Sequence, residues 1–109
     1  MKAEHQCDLI YNYHDQFDLD NNSKELKYVG ETKVRYGTRI YQHLNTDKNS
    51  AVFKYLKRYN LDSTDENFEI VERGFDKPVD RKLAEALYIK DLKPVLNEQV
   101  QSFKLQLFN

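Results

Sequence analysis

Three side chains that can bind phosphate are evenly spaced in the first half of the chain. Arg35, Arg39 and His43 follow one another at intervals of four residues, so on a helix they project from one stripe. Arginine offers a fork of N–H donors and histidine a titratable nitrogen, and such groups can converge on one phosphate. The same spacing also describes a solvated cationic helix face, so the spacing alone leaves both interpretations open.

A carboxylate late in the chain is a candidate ligand for a hard cation. Glu85 heads an apolar row with Ile89 and Leu92, a spacing that places a helical carboxylate at the edge of the core. Mg²⁺ is often bound by one or two such carboxylates together with phosphate oxygens of a substrate. The alternative is a partly exposed glutamate that pairs with a nearby lysine or arginine.

Two tyrosines could supply a phenol for proton transfer. Tyr11 and Tyr28 lie in separate predicted strands and can become cross-strand neighbours, an arrangement that is usually packing. A phenol with its ordinary pKa of about 10 is roughly 4 kcal/mol short of acting as a general base at pH 7. Only adjacent cations could reduce this difference appreciably, and Arg39 and His43 could supply them.

The strands that must position these residues are predicted from the alternation of apolar and polar side chains. This alternation predicts three strands, over residues 8–14, 25–30 and 67–73. The first strand places Leu9, Tyr11 and Tyr13 on one face. The polar loop 18–23 joins the first two strands into an antiparallel hairpin, and Gly30 is expected to end the second strand.

Helical periodicity accounts for most of the remaining chain. It predicts three helices, over residues 34–45, 51–59 and from 78 to the Lys93-Pro94 pair, and a short final helix over residues 100–108. The pair Asn49-Ser50 is expected to cap the second helix. One arc of the first helix carries Val34, Ile40, Tyr41 and Leu44. The second helix is expected to face the core with Val52, Tyr55, Leu56 and Tyr59, and the third carries Val79, Leu83, Ala86 and Leu87.

The composition supports a single folded domain. The 109 residues are 39% hydrophobic and 32% charged, which suits one compact domain and excludes wholesale disorder. The predicted elements give an α/β (α+β) fold, a small three-stranded sheet that starts with a β-hairpin and is flanked by three to four helices. Its core spans about residues 8–97, followed by the tail 98–109.

Charge and cysteine content limit the possible partners and compartments. No apolar run approaches the roughly 18 residues of a membrane span, so we expect no membrane contact. The single cysteine, Cys7, cannot form an internal disulfide, which favours an intracellular location, nuclear or cytoplasmic. With 17 basic and 18 acidic residues, the chain lacks the basic excess of a domain that grips nucleic acid alone. Any contact with DNA is therefore expected through a local patch or with help from another domain.

Five short blocks occur in a fixed order between residues 8 and 97. They read Tyr28-Val29-Gly30-Glu31-Thr32, Arg39-Ile40-Tyr41-Gln42-His43, Ser50-Ala51-Val52, Glu85-Ala86-Leu87-Tyr88-Ile89-Lys90 and Lys93-Pro94-Val95-Leu96-Asn97. Together they resemble the GIY-YIG nuclease domain, and their amino-acid sequences are most similar to those of the endonuclease of Penelope-like retroelements. Leu9 stands where the first signature of that family has glycine, so Tyr13 is an alternative to Tyr11 as its tyrosine.

The resemblance implies an endonuclease that hydrolyses phosphodiester bonds of DNA with Mg²⁺ or Mn²⁺. The catalytic positions that it implies are Tyr11, Tyr28, Arg39, His43, Glu85 and Asn97. Glu85 would hold the metal, Arg39 would bind the scissile phosphate, and His43 would assist proton transfer. Either Tyr11 or Tyr28 would activate the attacking water, and Asn97 would order the site through hydrogen bonds.

The resemblance also implies DNA as the partner. In Penelope-like retroelements the domain lies at the C-terminus of a reverse transcriptase, so this chain is expected to be either an excised domain or a stand-alone relative. A reverse transcriptase or targeting domain in the same chain would strengthen binding. Gly30 would allow close approach of the backbone. Candidate DNA contacts are Gly30, Arg35, Lys54, Lys57 and Arg58, with Lys77, Arg81 and Lys82 as a further group. One-strand or two-strand cutting and the oligomeric state stay open. The main alternative is a nucleic-acid-binding module of the same fold without catalysis, and a third is a protein-interaction domain.

Overall fold

The fold is built on a three-stranded antiparallel sheet with helices on both faces. A computed structural model describes residues 2–16 and 25–97. Its elements are β1 (Leu9–Asp15), β2 (Glu25–Thr32), α1 (Tyr36–Tyr41), α2 (Ala51–Arg58), β3 (Phe68–Glu72) and α3 (Pro78–Leu92), with a π-helical turn at Gln42–Thr46 and 3₁₀ turns at Ala3–His5 and Asp65–Asn67. The predicted α+β fold is confirmed. The predicted loop 18–23 and the predicted final helix 100–108 both lie outside the described residues.

The sheet has the strand order β2-β1-β3, so β1 is central and the predicted hairpin of β1 and β2 is confirmed. Its register pairs Tyr11 with Gly30 and Tyr13 with Tyr28. β2 continues to Thr32, so the expectation that Gly30 ends the strand is wrong. The glycine lies within the strand, directly opposite a large aromatic residue.

One face of the sheet packs against α1 and α2. Leu9, Tyr11 and Tyr13 all point to this face, as the alternation predicts, and all are fully buried. The helices and the other strands complete this core with Tyr36, Ile40, Val52, Tyr55, Leu56, Phe68 and Leu96. The alternation succeeds here because a strand directs every second side chain to the same face whatever covers that face.

The first helix differs from the predicted one in its start and in its rotation. It begins at Tyr36, so Val34 precedes it and is exposed. After Tyr41 the backbone widens into the π-helical turn, whose larger number of residues per turn rotates the side chains that follow. His43 therefore points into the core with 0% exposure, whereas Tyr41, on the arc with Ile40, is 59% exposed.

The second helix follows its prediction closely. The Ser50 side chain caps it by accepting a hydrogen bond from the Phe53 N–H, and the predicted core residues Val52, Tyr55 and Leu56 are buried. Tyr59 is exposed instead of buried, because α2 ends at Arg58 and Tyr59 already belongs to the turn.

The opposite face of the sheet is covered by α3. Ile89 packs there against Ile10 and Val29, and Lys93, with a φ of 48°, ends the helix at the predicted place. The apolar side chains of the third helix that the sequence singles out are exposed, namely Val79, Leu83, Ala86 and Leu87. Within residues 2–16 and 25–97, no helix has the length and apolar character needed to cross a membrane.

A buried arginine explains why α3 packs against the sheet with the side that carries Arg81. Arg81 is 3% exposed, and its guanidinium pairs with Asp8 at 2.6 Å and with Glu31. The two carboxylates come from the residue before β1 and from the last part of β2, and they compensate for the burial of the charge. The expectation that Arg81 contacts DNA is therefore wrong, because its side chain is buried and paired with two carboxylates inside the protein.

Candidate active site

The β1–β2 hairpin brings two tyrosines next to a histidine. The ring centroids of Tyr11 and Tyr28 lie 6.3 Å apart, and the His43 ring lies 5.6 Å from Tyr11 and 5.5 Å from Tyr28. Tyr11 Oη and His43 Nε2 are 2.5 Å apart and share a hydrogen bond. The alternative tyrosine, Tyr13, donates its hydroxyl hydrogen to Asp15 at 2.8 Å. Tyr11 is therefore the first-strand tyrosine that the structure joins to His43.

Gly30 provides the room for the Tyr11 phenol. A Cβ atom at this position would lie 2.6 Å from Tyr11 Oη and 2.8 Å from Tyr28 Cε2, closer than packed atoms approach. Gly30 is itself buried. The close approach that the structure shows at this glycine is made by the protein's own phenol.

Arg39 is held in place by two neighbours at the end of the first helix. Its Nη1 donates to Gln42 Oε1 at 3.0 Å and to Asp47 Oδ2 at 2.9 Å. The hydrogen bond from Arg39 also holds the pKa of the Asp47 carboxyl below its usual value. A guanidinium has several N–H groups, so Nη1 can serve these two residues while other donors face the tyrosines or a phosphate.

Sequence analysis did not identify Asp47 and Gln42 as partners of Arg39. Gln42 lies three residues further on, a spacing that would have suggested it. Asp47 lies beyond the π-helical turn in non-helical backbone, so no helical spacing relates it to Arg39. No signal in the sequence pattern could have found it.

Glu85 brings a negative charge from α3 to the same two phenols. Its side chain is partly buried. In addition to burial, its carboxylate raises the pKa of Tyr28 and that of Tyr11. Arg39 acts on both phenols in the opposite direction, lowering their pKa. A carboxylate late in the chain and a guanidinium early in the chain therefore influence the same oxygen atoms.

Burial, however, dominates the titration of these groups. It raises the pKa of Tyr11 well above its usual value, and it also raises the pKa of Tyr28. Burial, reinforced by the charge of Arg39, lowers the pKa of His43 to about 3. His43 is therefore neutral at pH 7, and the expectation that it supplies a cation is wrong. In the protein alone, the effect of Arg39 does not offset the burial of the phenols.

Asn97 fixes the strand that carries Tyr28 and Gly30. Its Oδ1 accepts a hydrogen bond from Val29 N at 2.7 Å, and its Nδ2 donates to Val29 O at 2.7 Å. Both backbone groups lie on the outer edge of β2, where β1 does not pair with them. The amide thus takes the place of a neighbouring strand and orders the backbone between the two site residues.

The other predicted DNA contacts remain at the surface, apart from Gly30 and Arg81. The exposed cationic residues are Arg35, Lys54, Lys57, Arg58, Lys77 and Lys82. Lys57 lies over the Phe53 ring and Arg58 over the Tyr59 ring, which leaves their charges available to solvent.

The possible metal ligands at the site suit a cation whose other ligands are water and substrate oxygens. Among residues 2–16 and 25–97, no group of three or more His, Cys, Asp or Glu side chains is arranged to hold a metal. Mg²⁺ does not require such a cage, because it keeps several waters and often uses one or two carboxylates. Glu85, whose negative charge reaches both phenols, fits that kind of site.

Comparisons of the chain with protein-family models, with curated proteins and with solved structures find no match.

Proposed function

We propose that this chain is a GIY-YIG-type endonuclease domain that hydrolyses phosphodiester bonds of DNA with Mg²⁺ or Mn²⁺. The observation that carries the proposal is that Glu85 and Arg39 act on the same pair of phenols. A carboxylate that could bind a cation, a guanidinium that could bind a phosphate and a phenol that could accept a proton therefore influence one another electrostatically. Positioned groups of this kind supply most of the catalysis in phosphoryl transfer.

Arg39 binds the scissile phosphate in this proposal. Its Nη1 is tied to Gln42 and Asp47, so the guanidinium is oriented before the substrate arrives. Arginine suits the role because it stays charged and its fork of donors matches phosphate oxygens. The same donors stabilise the additional negative charge that develops on the phosphate in the transition state.

Tyr28 meets the attacking water, since it is partly exposed whereas Tyr11 is 1% exposed. The water oxygen bonds to phosphorus while the bond from phosphorus to the leaving 3′ oxygen breaks. The proton of the water passes to the Tyr28 oxygen, which accepts it as a phenolate. Against the effect of burial, Arg39 and Tyr11 act to lower the pKa of Tyr28 and so favour that phenolate.

Glu85 would hold the divalent cation, which when bound neutralises charge on the phosphate and on the leaving oxygen. This role also addresses the high pKa of the phenols. The carboxylate of Glu85 raises the pKa of Tyr28, so compensating its charge removes that influence and makes the phenolate easier to form.

Binding of DNA would draw on the exposed cations and on a further domain. Arg35, Lys54, Lys57 and Arg58 are exposed and can contact phosphates, but the formal net charge is −1. Affinity that does not depend on sequence grows with the number of phosphates neutralised. A reverse transcriptase or targeting domain in the same chain would supply the missing affinity.

Nicking of supercoiled plasmid tests the proposal. We expect the chain to relax the plasmid with added Mg²⁺ and to stop when the metal is chelated. Glu85→Gln should abolish nicking, because the isosteric amide cannot provide the anionic ligand. Asp91→Asn is the matched control, since it removes one exposed carboxylate from the same helix and should leave nicking unchanged.

The binding-module alternative predicts a different result. If no divalent metal supports cleavage while a labelled DNA duplex is still bound, the fold serves binding alone and the nuclease proposal fails. If Glu85→Gln and Asp91→Asn nick equally well, the cation site at Glu85 is excluded.

A further inference from the structure

Ser50 connects the start of α2 to the imidazole of His43. Its Oγ accepts a hydrogen bond from Phe53 N at 3.1 Å and lies 2.5 Å from His43 Nδ1. The other ring nitrogen, Nε2, lies 2.5 Å from Tyr11 Oη. Ser50 is 5% exposed and His43 0%, so both ring nitrogens meet protein groups in the interior. Helix capping therefore does not account for all the contacts of this hydroxyl.

The histidine has to divide one hydrogen between these two neighbours. Burial and the charge of Arg39 keep His43 neutral at pH 7, and a neutral imidazole has one N–H donor and one acceptor. In one arrangement Ser50 donates to Nδ1 and Nε2–H donates to Tyr11. In the other arrangement Tyr11 donates to Nε2 and Nδ1–H donates to Ser50.

The contacts of Ser50 favour the first arrangement. Its Oγ already accepts a hydrogen bond from Phe53 N, and His43 Nδ1 lies within reach of its own hydrogen. If Nδ1–H donated instead, the hydroxyl hydrogen of this buried serine would have no acceptor among the hydrogen bonds of the described residues. Nε2 therefore carries the imidazole hydrogen and donates it to Tyr11 Oη. The Tyr11 hydrogen is then left for Tyr28, whose pKa Tyr11 acts to lower.

We propose that Ser50 is a positioning residue that donates its hydroxyl hydrogen to His43 Nδ1 and so holds the imidazole in the Nε2–H tautomer. His43 then donates to Tyr11, and Tyr11 donates to Tyr28. This series of hydrogen bonds ends on Tyr28, the phenol that meets the water. It stabilises the negative charge of the Tyr28 phenolate. The tautomer is a statement about the folded protein alone, whereas its effect on cleavage rests on the proposed nuclease function.

The tautomer can be measured directly in the native protein. Side-chain ¹⁵N spectra of His43 at pH 7 distinguish a protonated Nε2 from a protonated Nδ1, and we expect Nε2–H. Predominance of Nδ1–H would overturn the proposal without any variant being needed.

Variants then separate the hydroxyl from the helix cap. Ser50→Gly removes the hydroxyl at the smallest cost to capping, and Ser50→Thr keeps both functions. We expect the Nε2–H form to lose its predominance in Ser50→Gly and to retain it in Ser50→Thr. Thr64→Gly is the matched control, because Thr64 caps a turn through Glu66 N, and it should leave the His43 spectrum unchanged. An unaltered tautomer in Ser50→Gly would also overturn the proposal.

Plasmid nicking provides the second readout. Proton-transfer groups contribute about 10²–10⁴-fold to rate, and loss of the correct tautomer should remove about 10- to 100-fold from kcat in Ser50→Gly. KM for the plasmid should not change, since a buried Ser50 offers no surface contact to DNA. If the native chain shows the Nε2–H tautomer but never nicks DNA, the nuclease proposal fails and the role of Ser50 in setting the tautomer stands. If the native chain nicks DNA but shows the Nδ1–H tautomer, the nuclease proposal stands and the role of Ser50 fails.

Discussion

Substitution of Gly30 by alanine tests the packing of the phenol pair at its tightest point. The added Cβ would lie 2.6 Å from Oη and 2.7 Å from Cζ of Tyr11. The Tyr11 ring is 1% exposed and hydrogen-bonded to His43, so it cannot move into solvent. Overpacking of a core costs about 1–3 kcal/mol, and a displaced Tyr11 would also leave buried polar atoms unpaired at about 1–3 kcal/mol. Because the two costs overlap, we expect Gly30→Ala to lower the free energy of unfolding by about 2–4 kcal/mol.

Urea denaturation of paired glycine variants measures this cost. Gly74→Ala is the control, because Gly74 has a φ of +88° and nothing lies within 4 Å of an added Cβ. That variant should lose only the cost of a left-handed backbone, about 1–2 kcal/mol. Gly30→Ala should lose more than the control and should also lose nicking activity. If Gly30→Ala were as stable as native protein, Tyr11 could not lie against Gly30 as described.

Two further predictions concern stability at the same site. Asn97→Ala should lower the free energy of unfolding by about 2–4 kcal/mol, because it leaves the Val29 N–H and C=O unpaired. Asn45→Ala, at an exposed position, should cost less than about 0.5 kcal/mol. Equal losses in urea denaturation would refute the role of Asn97 in holding β2. Because His43 stays neutral in the folded protein, only the unfolded chain takes up a proton there below a pH of about 6.5. The free energy of unfolding should therefore fall by about 1.4 kcal/mol per pH unit between about pH 6.5 and 5. His43→Gln should lack this slope, and an unchanged slope in that variant would contradict a buried neutral imidazole.

The sequence predicts the sheet well because strand periodicity does not depend on the surroundings. Leu9, Tyr11 and Tyr13 share the core face, and the hairpin follows from two short apolar runs around a polar loop. The choice between Tyr11 and Tyr13 could not be made from this pattern, since both lie on the same face. It depends on Asp15, whose carboxylate accepts the hydrogen of Tyr13.

The helices are predicted less well because their packed faces depend on distant residues. The π-helical turn after Tyr41 rotates His43 into the core, and no periodicity of 3.6 residues anticipates that turn. On α3, Arg81 is buried because Asp8 and Glu31 reach it from the sheet. Residues from separate sequence blocks nevertheless come together in the structure. The His43 ring lies beside those of Tyr11 and Tyr28, and Arg39 and Glu85 act on the pKa of both phenols. That these residues form a catalytic site stays a prediction.

The position of a bound divalent cation tests the central claim most directly. Mn²⁺ broadens the NMR signals of nuclei close to it, so a titration locates the ion within the folded chain. We predict that the side-chain signals of Glu85 and the ring signals of Tyr28 broaden first, and that this broadening disappears in Glu85→Gln but persists in Asp91→Asn. Broadening centred elsewhere, or broadening at Tyr28 that survives Glu85→Gln, would contradict the account.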